Sequence, residues 1–284
     1  MAAKDLIGYW LTGRTATDPA TAQSPEGWSA ALLQATGVSA DLLPPVVPPT
    51  TVLGPLSPDV ANATGLPSGV PVVVGAADGV CATLACGAYH PGDVCISLGT
   101  SAVARVITAE VLNRPLAIAT NALPFFDGHW LGTMIVPSGA YLNWLTRICG
   151  RSIGELVGQA ATVMPGDGPA FVPSRPDPTI AQVLGGTATA GAYSLIDLRH
   201  DHTPAVLARA VLDGTIYSLV AALQTLLPAD RAAVPLRVTG RGATGEGVGL
   251  GALTALWEGP VLHAPGDAML GAAILAAVGV GLFS

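Results

Sequence analysis

Asp78 and the Gly99-Thr100-Ser101 turn carry the residue types that proton and phosphate chemistry requires. Asp78 follows an apolar, β-branched run at 70–74, and the turn follows a second apolar run at 94–98. A carboxylate at the end of a strand can accept a proton from an attacking hydroxyl and orient it. The backbone N–H groups and hydroxyls of the turn can donate hydrogen bonds to a phosphate. The residue types therefore favour an acid beside a phosphate-binding turn.

A second glycine-rich segment lies at 240–247, and a helix is predicted directly after it. Gly240, Gly242 and Ala243 open this segment, which contains four glycines in all. Such a loop allows a phosphate or a nucleotide to approach the N-terminus of the helix. No lysine follows, so the segment does not match the phosphate-binding pattern G-x-x-x-x-G-K-[ST].

Structural roles would explain the same segments. Asp78 would serve as a cap for a helix over 79–88. A Gly-Thr-Ser turn is common between two strands, and the loop at 240–247 would serve as a flexible connection from strand to helix. The residues alone leave both interpretations open.

The histidines and cysteines do not predict a metal site. His200-Asp201-His202 is the one histidine cluster, and it precedes a predicted helix start at Thr203, which indicates a solvated helix entry. The four cysteines form no C-x-x-C pair. They are typical of small buried hydrophobic residues in a reducing cytoplasm.

Composition limits the classes of partner. Half of the 284 residues are hydrophobic and 11% are charged, which predicts an extensive core. The formal net charge is −7 and the arginines are scattered, so nucleic acid is not expected as a partner. The apolar run at 268–284 is shorter than the roughly 20 residues of a membrane-spanning helix. We therefore predict a buried helix there, no membrane partner and a cytoplasmic location.

The pattern of elements predicts an α/β fold, in which strands and helices alternate around these segments. The first apolar run, 70–74, is predicted to be buried on both faces of a sheet. Ser24 is predicted to cap a helix that Gly37 ends, and Thr203-Pro204 to begin a long one. The other predicted strands are 94–98, 102–107, 121–126, 129–136, 236–239 and 261–263; the other predicted helices are 4–11, 58–64, 138–149, 153–163, one ending at Trp257, and 269–278.

In chain order, these motifs resemble the FGGY family of carbohydrate kinases, within the actin/hexokinase-like ATPase superfamily. The resemblance covers nearly the whole chain. Its matching segments are Lys4-Asp5, Leu11-Thr12-Gly13, Thr17-Asp18, Leu42-Leu43-Pro44, Val52-Leu53-Gly54, Thr64-Gly65-Leu66, Val72–Asp78, Gly92–Ser101, His202–Gly214 and Gly271-Ala272-Ala273. The family's opening D-x-G-T module has no counterpart, its G-E-R-x-P becomes Ser174–Pro178, and its glycine loop here contains Arg241.

The resemblance implies an α/β fold, the carboxyl-terminal portion of an actin/hexokinase-like (ribonuclease H-like) ATPase fold. Residues 1–90 would be a remnant of the first, sugar-binding domain, and 91–284 the nucleotide-binding domain. Asp78 would be the catalytic base, and Thr100 would contact the γ-phosphate of ATP beside Gly99 and Ser101. Gly240, Gly242 and Ala243 would line the nucleotide cleft, with ATP and Mg²⁺ as cofactors.

The implied reaction is ATP-dependent phosphorylation of a sugar hydroxyl, with D-xylulose as the expected substrate. A gluconokinase-type kinase is an alternative, as is a non-catalytic ATPase-fold remnant that acts as a binding or assembly subunit. Because the opening module is missing, the resemblance also implies a separately encoded amino-terminal kinase domain as a partner, or a homo-oligomer. Apolar surface that such a partner would cover is expected to be exposed.

Overall fold

The structure is a computed structural model, and it describes residues 2–25, 27–99, 101–111, 120–125, 128–173, 193–227, 233–240, 242, 248–264 and 266–283. The helices are α1 (Ala3–Thr12), α2 (Pro19–Ala22), α3 (Ala30–Thr36), α4 (Pro58–Thr64), α5 (Asp78–Ala85), α6 (Gly139–Cys149), α7 (Ile153–Ala160), α8 (Pro204–Leu226), α9 (Val248–Leu256) and α10 (Ala268–Gly279). The strands are β1 (Val52–Pro55), β2 (Pro71–Val73), β3 (Val94–Leu98), β4 (Ser101–Thr108), β5 (Thr120–Pro124), β6 (Trp130–Pro137), β7 (Ala170–Pro173), β8 (Tyr193–Ile196), β9 (Leu236–Thr239) and β10 (Val261–His263).

The main sheet, over the described ranges, has six strands in the order β10-β9-β3-β4-β6-β5. β3, β9 and β10 are parallel, whereas β4 pairs antiparallel with both β3 and β6, and β6 with β5. The strands predicted at 94–98, 102–107, 236–239 and 261–263 are confirmed. The strands predicted at 121–126 and 129–136 are present as an antiparallel pair, β5 and β6, and Asp127 of the turn predicted between them lies outside the described residues.

Helices cover both faces of this sheet because side chains alternate along each strand. Ile96 and Leu98 of β3 belong to a core that contains Leu223 of α8 and Leu253 of α9. On the opposite face, Ile107 of β4 packs in a second core with α5 and α10. The sequence pattern of 94–98, apolar throughout except at Ser97, fits a central strand that is covered twice.

Close contact between α5 and α10 depends on Gly271. An added Cβ at Gly271 would overlap the carbonyl oxygen of Cys81 in α5. The Gly-Ala-Ala segment of the resemblance therefore has a packing role: it seats α10 against the helix that begins with Asp78. Asp267 caps α10, since its carboxylate accepts hydrogen bonds from the N–H groups of Met269 and Leu270.

The prediction of a strand at 70–74 buried on both faces is wrong. β2 covers only Pro71–Val73 and forms a two-stranded antiparallel pair with β1. Its residues are half-buried or exposed, and Val70 before it is 40% exposed. The partner strand β1 lies within a proline-rich segment. Because β2 pairs with β1 alone, it does not enter the main sheet.

The predicted cap at Ser24 is also wrong. Ser29 caps α3, and its hydroxyl accepts a hydrogen bond from the N–H of Leu32. An additional short helix, α2, forms where a loop was expected, because the Asp18 carboxylate accepts from the N–H groups of Ala20 and Thr21. Gly37 does end α3, in a left-handed conformation with φ of 68°.

A buried ion-pair cluster holds the amino-terminal segment together. The Nζ atom of Lys4 lies 2.7 Å from Oδ1 of Asp5 and 2.9 Å from Oδ1 of Asp18. Both carboxylates are almost fully buried. Two of the motif segments, Lys4-Asp5 and Thr17-Asp18, thus meet in space, and the shared lysine links α1 to the α2 cap.

An aromatic cluster lies where α6, α7 and the N-terminal half of α8 pack against the antiparallel pair β7 and β8. Tyr141 packs edge-on against Phe171 with ring centroids 4.9 Å apart, and Tyr193 lies 5.7 Å from Tyr141. Leu145 of α6 is fully buried beside them. Ile148, near the end of the same helix, is 60% exposed.

Helix α8 is long and apolar enough to cross a membrane by length and composition. Its window Pro204–Ala221 has a mean hydropathy of 1.3, and 56% of that window is buried inside the fold. Leu219 and Leu223 are fully buried against the main sheet. The apolar character of α8 is accounted for by this packing.

Candidate active site

The two glycine-rich segments meet at the carboxyl ends of two neighbouring inner strands of the main sheet, β3 and β9. β3 and β9 are parallel and in register, with Ser97 opposite Thr239, so the residues after both strands emerge side by side. A Cβ added at Gly240 would lie 2.5 Å from the carbonyl oxygen of Leu98, and one at Gly242 would lie 2.9 Å from the Cβ of Leu98. Gly240 also has φ of 93°, which L side chains rarely adopt. Both glycines are required for this close approach.

The described part of each segment is short. Gly99 is exposed directly after β3, and the backbone of Ser101 begins β4, opposite Pro137 of β6. Thr100, Ala243 and Arg241 lie outside the described residues, as does the segment at 174–178. Their assigned roles stay predictions, but the chain on either side of Thr100 is fixed by β3 and β4.

Asp78 is the first residue of α5, and its side chain is exposed. Its Oδ1 accepts a hydrogen bond of 2.7 Å from the N–H of Gly79. Asp78 was the alternative candidate for the N-cap of this helix, but the N-cap is Ala77, which makes no side-chain cap hydrogen bond. Asp78 is therefore the first helical residue and not the cap. The carboxylate satisfies one N–H of the first turn and is still open to solvent.

Helix α5 is held firmly behind this exposed carboxylate. Val80, Cys81 and Leu84 are buried on its inner side. The hydroxyl of Thr83 donates to the carbonyl of Gly79 at 2.7 Å. The exposed Asp78 therefore begins a helix whose opposite side is anchored in the core.

Arg105 is a residue of this region that sequence reasoning missed. It lies in β4 and is only 8% exposed, and its Nη1 donates to Oγ of Ser97 at 3.0 Å. A Cβ built on Gly79 would lie 3.5 Å from Nε of Arg105. The guanidinium thus lies between the strand that leads to Gly99 and the first turn of α5. A single charge within the apolar strand 102–107 was the signal that could have indicated it.

A pair of buried thiols lies on the same face of the sheet. The thiol of Cys86 donates a hydrogen bond to Cys95, which lowers the pKa of Cys95 to about 7; Arg105 lowers it further, against the opposing effect of burial. The same hydrogen bond, together with burial, raises the pKa of Cys86. Both cysteines are free thiols, as are Cys81 and Cys149.

A separate cavity of about 180 Å³ lies between α8 and β7. Its walls include Phe171, Tyr217 and the Arg209–Asp213 ion pair, in which Nε and Oδ2 are 3.0 Å apart. Of the predicted site residues that the structure describes, none lines this cavity. Over the ranges that the structure describes, no group of three or more histidine, cysteine or acidic residues is placed to hold a metal ion.

A mixed sheet of this topology agrees with the α/β, actin/hexokinase-like fold that the resemblance predicted. Residues 1–85 match the N-terminal domain of the FGGY family of carbohydrate kinases. The xylulose kinase of Klebsiella pneumoniae is 29% identical over 233 residues, which are 76% of this chain and 46% of that protein. The gluconokinase of Bacillus subtilis is 28% identical over 207 residues, 68% of this chain and 39% of that protein.

Solved structures agree on the fold. A ligand-bound xylulose kinase from Lactobacillus acidophilus superposes with a TM-score of 0.82 at 23% identity, covering 99% of this chain and 59% of the other. The chain is a homologue of FGGY-family carbohydrate kinases. It spans about half the length of the curated relatives it matches.

Proposed function

We propose that this chain forms the nucleotide-binding part of an FGGY-type carbohydrate kinase, which phosphorylates a sugar hydroxyl with ATP in the cytoplasm. The observation that carries the proposal is the contact of Gly240 and Gly242 with Leu98, next to Gly99, at the edge where parallel strands end. Open α/β sheets bind ligands at this edge. In the proposed organisation, residues 1–90 belong to the sugar-binding domain and 91–284 to the nucleotide-binding domain.

The backbone around the glycines fits a phosphate chain. Gly240 and Gly242 bring the backbone of their loop against β3 where any side chain would collide. Together with Ala243, they would line the nucleotide cleft, while Gly99, Thr100 and Ser101 would face the phosphates with N–H and hydroxyl donors. Bound ATP supplies the phosphoryl group, and Mg²⁺ offsets the charge of its phosphates.

Asp78 would act as the catalytic base toward the sugar hydroxyl. Its carboxylate is exposed at the start of α5, and its helix is anchored by α10 through Gly271. A general base of this kind accelerates a reaction by roughly 10²–10⁴-fold. Its contribution depends on holding the substrate oxygen within hydrogen-bond distance, which requires a sugar site on the facing domain.

A second polypeptide is proposed to supply that facing domain. Helix α1 exposes a row of large apolar side chains: Ile7 is 53% exposed, Trp10 65% and Tyr9 46%. Exposed patches of this kind mark interaction sites in soluble proteins. We propose that a separately encoded amino-terminal kinase domain covers this face; a homo-oligomer would be the alternative way to cover it.

D-xylulose, converted to D-xylulose 5-phosphate, is the proposed substrate because the Klebsiella pneumoniae relative is a xylulose kinase. The gluconokinase relative of Bacillus subtilis makes D-gluconate the second candidate. The test co-expresses the chain with the amino-terminal half of an FGGY xylulose kinase and measures ATP-dependent phosphorylation of both sugars. We expect transfer to D-xylulose by the combined halves and none by the chain alone.

The variant Asp78→Asn should lower kcat of the combined halves by about 10²–10⁴-fold and leave Mg-ATP affinity unchanged. Asp59→Asn is the matched control, because Asp59 is an exposed acid in the first turn of α4. Transfer by the isolated chain would exclude the two-part arrangement. Absence of transfer to both sugars by the combined halves would exclude the kinase and favour a non-catalytic binding or assembly subunit.

A further inference from the structure

The guanidinium of Arg105 lies between β3, which leads to Gly99, and the first turn of α5, which begins with Asp78. Its Nη1 is bonded to Ser97, two residues before Gly99, at 3.0 Å. Its Nε and Nη2 lie 3.5 and 3.6 Å from the position that a Cβ of Gly79 would take, beside Asp78. Nε is buried and has no hydrogen-bond partner. One side chain that is more than nine-tenths buried thus reaches the first turn of α5 from β4.

The charge of Arg105 has no carboxylate to balance it. Among the described residues, no acidic oxygen lies within the 4.0 Å of an ion pair with Arg105. Burial of an unpaired guanidinium is costly. A bound anion near Arg105 would offset this cost. Cys95 lies directly opposite on β3; the hydrogen bond from Cys86 and the charge of Arg105 lower the pKa of its thiol to about 7, so the thiol is mainly neutral at lower pH.

The neighbouring Arg237 shows the contrast. It lies on β9 in register with Cys95, on the other side of β3 from Arg105. Its Nη1 lies 3.1 Å from Oδ1 of Asp93, so its charge is balanced. Two arginines therefore flank the same cysteine, and the one nearer to the proposed phosphate turn carries the unbalanced charge.

We propose that Arg105 is a positioning residue for the phosphate-binding turn after β3: it lies between β3 and the start of α5 and supplies positive charge beneath the bound phosphates. The inference rests on the proposed function, and it concerns a residue that does not itself touch the ligand. The charge acts through a water-poor interior, where an interaction over several ångströms is weakly screened. The positive end of α5 adds to it.

The test measures binding of Mg-ATP to the full chain at pH 6.5 by isothermal titration calorimetry, at two salt concentrations. Arg105→Met should weaken binding by about tenfold or more and reduce its dependence on salt. Arg105→Lys keeps the charge and should recover most of the affinity. Arg237→Met, the matched control, should stay within about twofold of the unaltered chain, because the guanidinium it removes is bound to Asp93, before β3, and not beside the turn that follows β3.

A second neutral variant, Arg105→Gln, retains a donor for Ser97 and replaces the methionine variant if that one does not fold, as judged by circular dichroism. If the unaltered chain and the neutral variant bind Mg-ATP with equal affinity, this inference is overturned while the proposed function still stands. The charge of Arg105 would then not act on the phosphates. Equal losses in the lysine and neutral variants would overturn it too. If the unaltered chain binds neither Mg-ATP nor Mg-pyrophosphate, the proposed function fails and this inference fails with it.

Discussion

Replacement of Gly240 by alanine tests whether the contact between the two glycine segments is as tight as the structure shows. The new Cβ would lie 2.5 Å from the carbonyl oxygen and 3.0 Å from the nitrogen of Leu98, both of which are backbone atoms of a central strand. A clash with backbone in a packed region costs about 1–3 kcal/mol. The φ of 93° adds strain of about 1–2 kcal/mol for a residue with a Cβ. The free energy of unfolding should therefore fall by about 2–5 kcal/mol.

Two alanine controls separate these contributions. Gly150, at the end of α6, has φ of 64° and open space around it, so Gly150→Ala carries the strain without the clash. Gly251 lies in α9 with no atom within 4 Å and ordinary backbone angles, so Gly251→Ala should stabilise the helix by about 0.5–1 kcal/mol. Urea unfolding followed by far-UV circular dichroism gives all three values.

The expected order of destabilisation is Gly240→Ala well above Gly150→Ala, with Gly251→Ala at or below zero. If Gly240→Ala lowers the free energy of unfolding no more than Gly150→Ala does, Gly240 does not approach Leu98 closely, and the close approach of the two glycine segments at the site is refuted. Because Gly99 follows Leu98 directly, Gly240→Ala should also weaken Mg-ATP binding more than either control does.

Three further outcomes follow from the packing and the charges. Gly271→Ala should lower the free energy of unfolding by about 1–3 kcal/mol in urea titrations, since its Cβ would overlap the Cys81 carbonyl; a stability equal to that of the original chain would mean that α10 slides freely along α5. Leu223→Ala should cost about 2–5 kcal/mol in the same assay, because Leu223 is fully buried, and a cost below 1 kcal/mol would contradict the core. The pKa of Cys95 is lowered on folding, from an ordinary 9.0 to about 7, so stability should fall as pH decreases from 9 to 7, by up to about 1.4 kcal/mol per pH unit. Chemical denaturation across this pH range measures the slope, and a slope that Cys95→Ala leaves unchanged would contradict the assignment.

Local sequence signals predicted most helices and strands of residues 91–284. Thr203-Pro204 begins α8 because the threonine accepts from the Val206 N–H and the proline occupies the first helical position. The apolar run at 94–98 is β3 because a central strand is covered on both faces. Ser24 and Ser29 are equally good caps by type, and only the structure distinguishes them. The order of the motifs also indicated the FGGY family and its fold, since each motif is short but their sequence along the chain is specific.

Tertiary structure decided which of these segments meet. The parallel register of β3 and β9 brings Gly240 against Leu98 across more than 140 positions of the chain, and no local spacing encodes that contact. The Val-rich run at 70–74 reads as a central strand, yet it pairs with β1 outside the main sheet, because strand pairing depends on what lies beside it. Arg105 is a solitary charge in a strand by sequence; only the packing of α5 on β4 places it beside Gly79, in the first turn of α5. Sequence determines residue type and local conformation, whereas charge balance and close approach arise from contacts between distant segments.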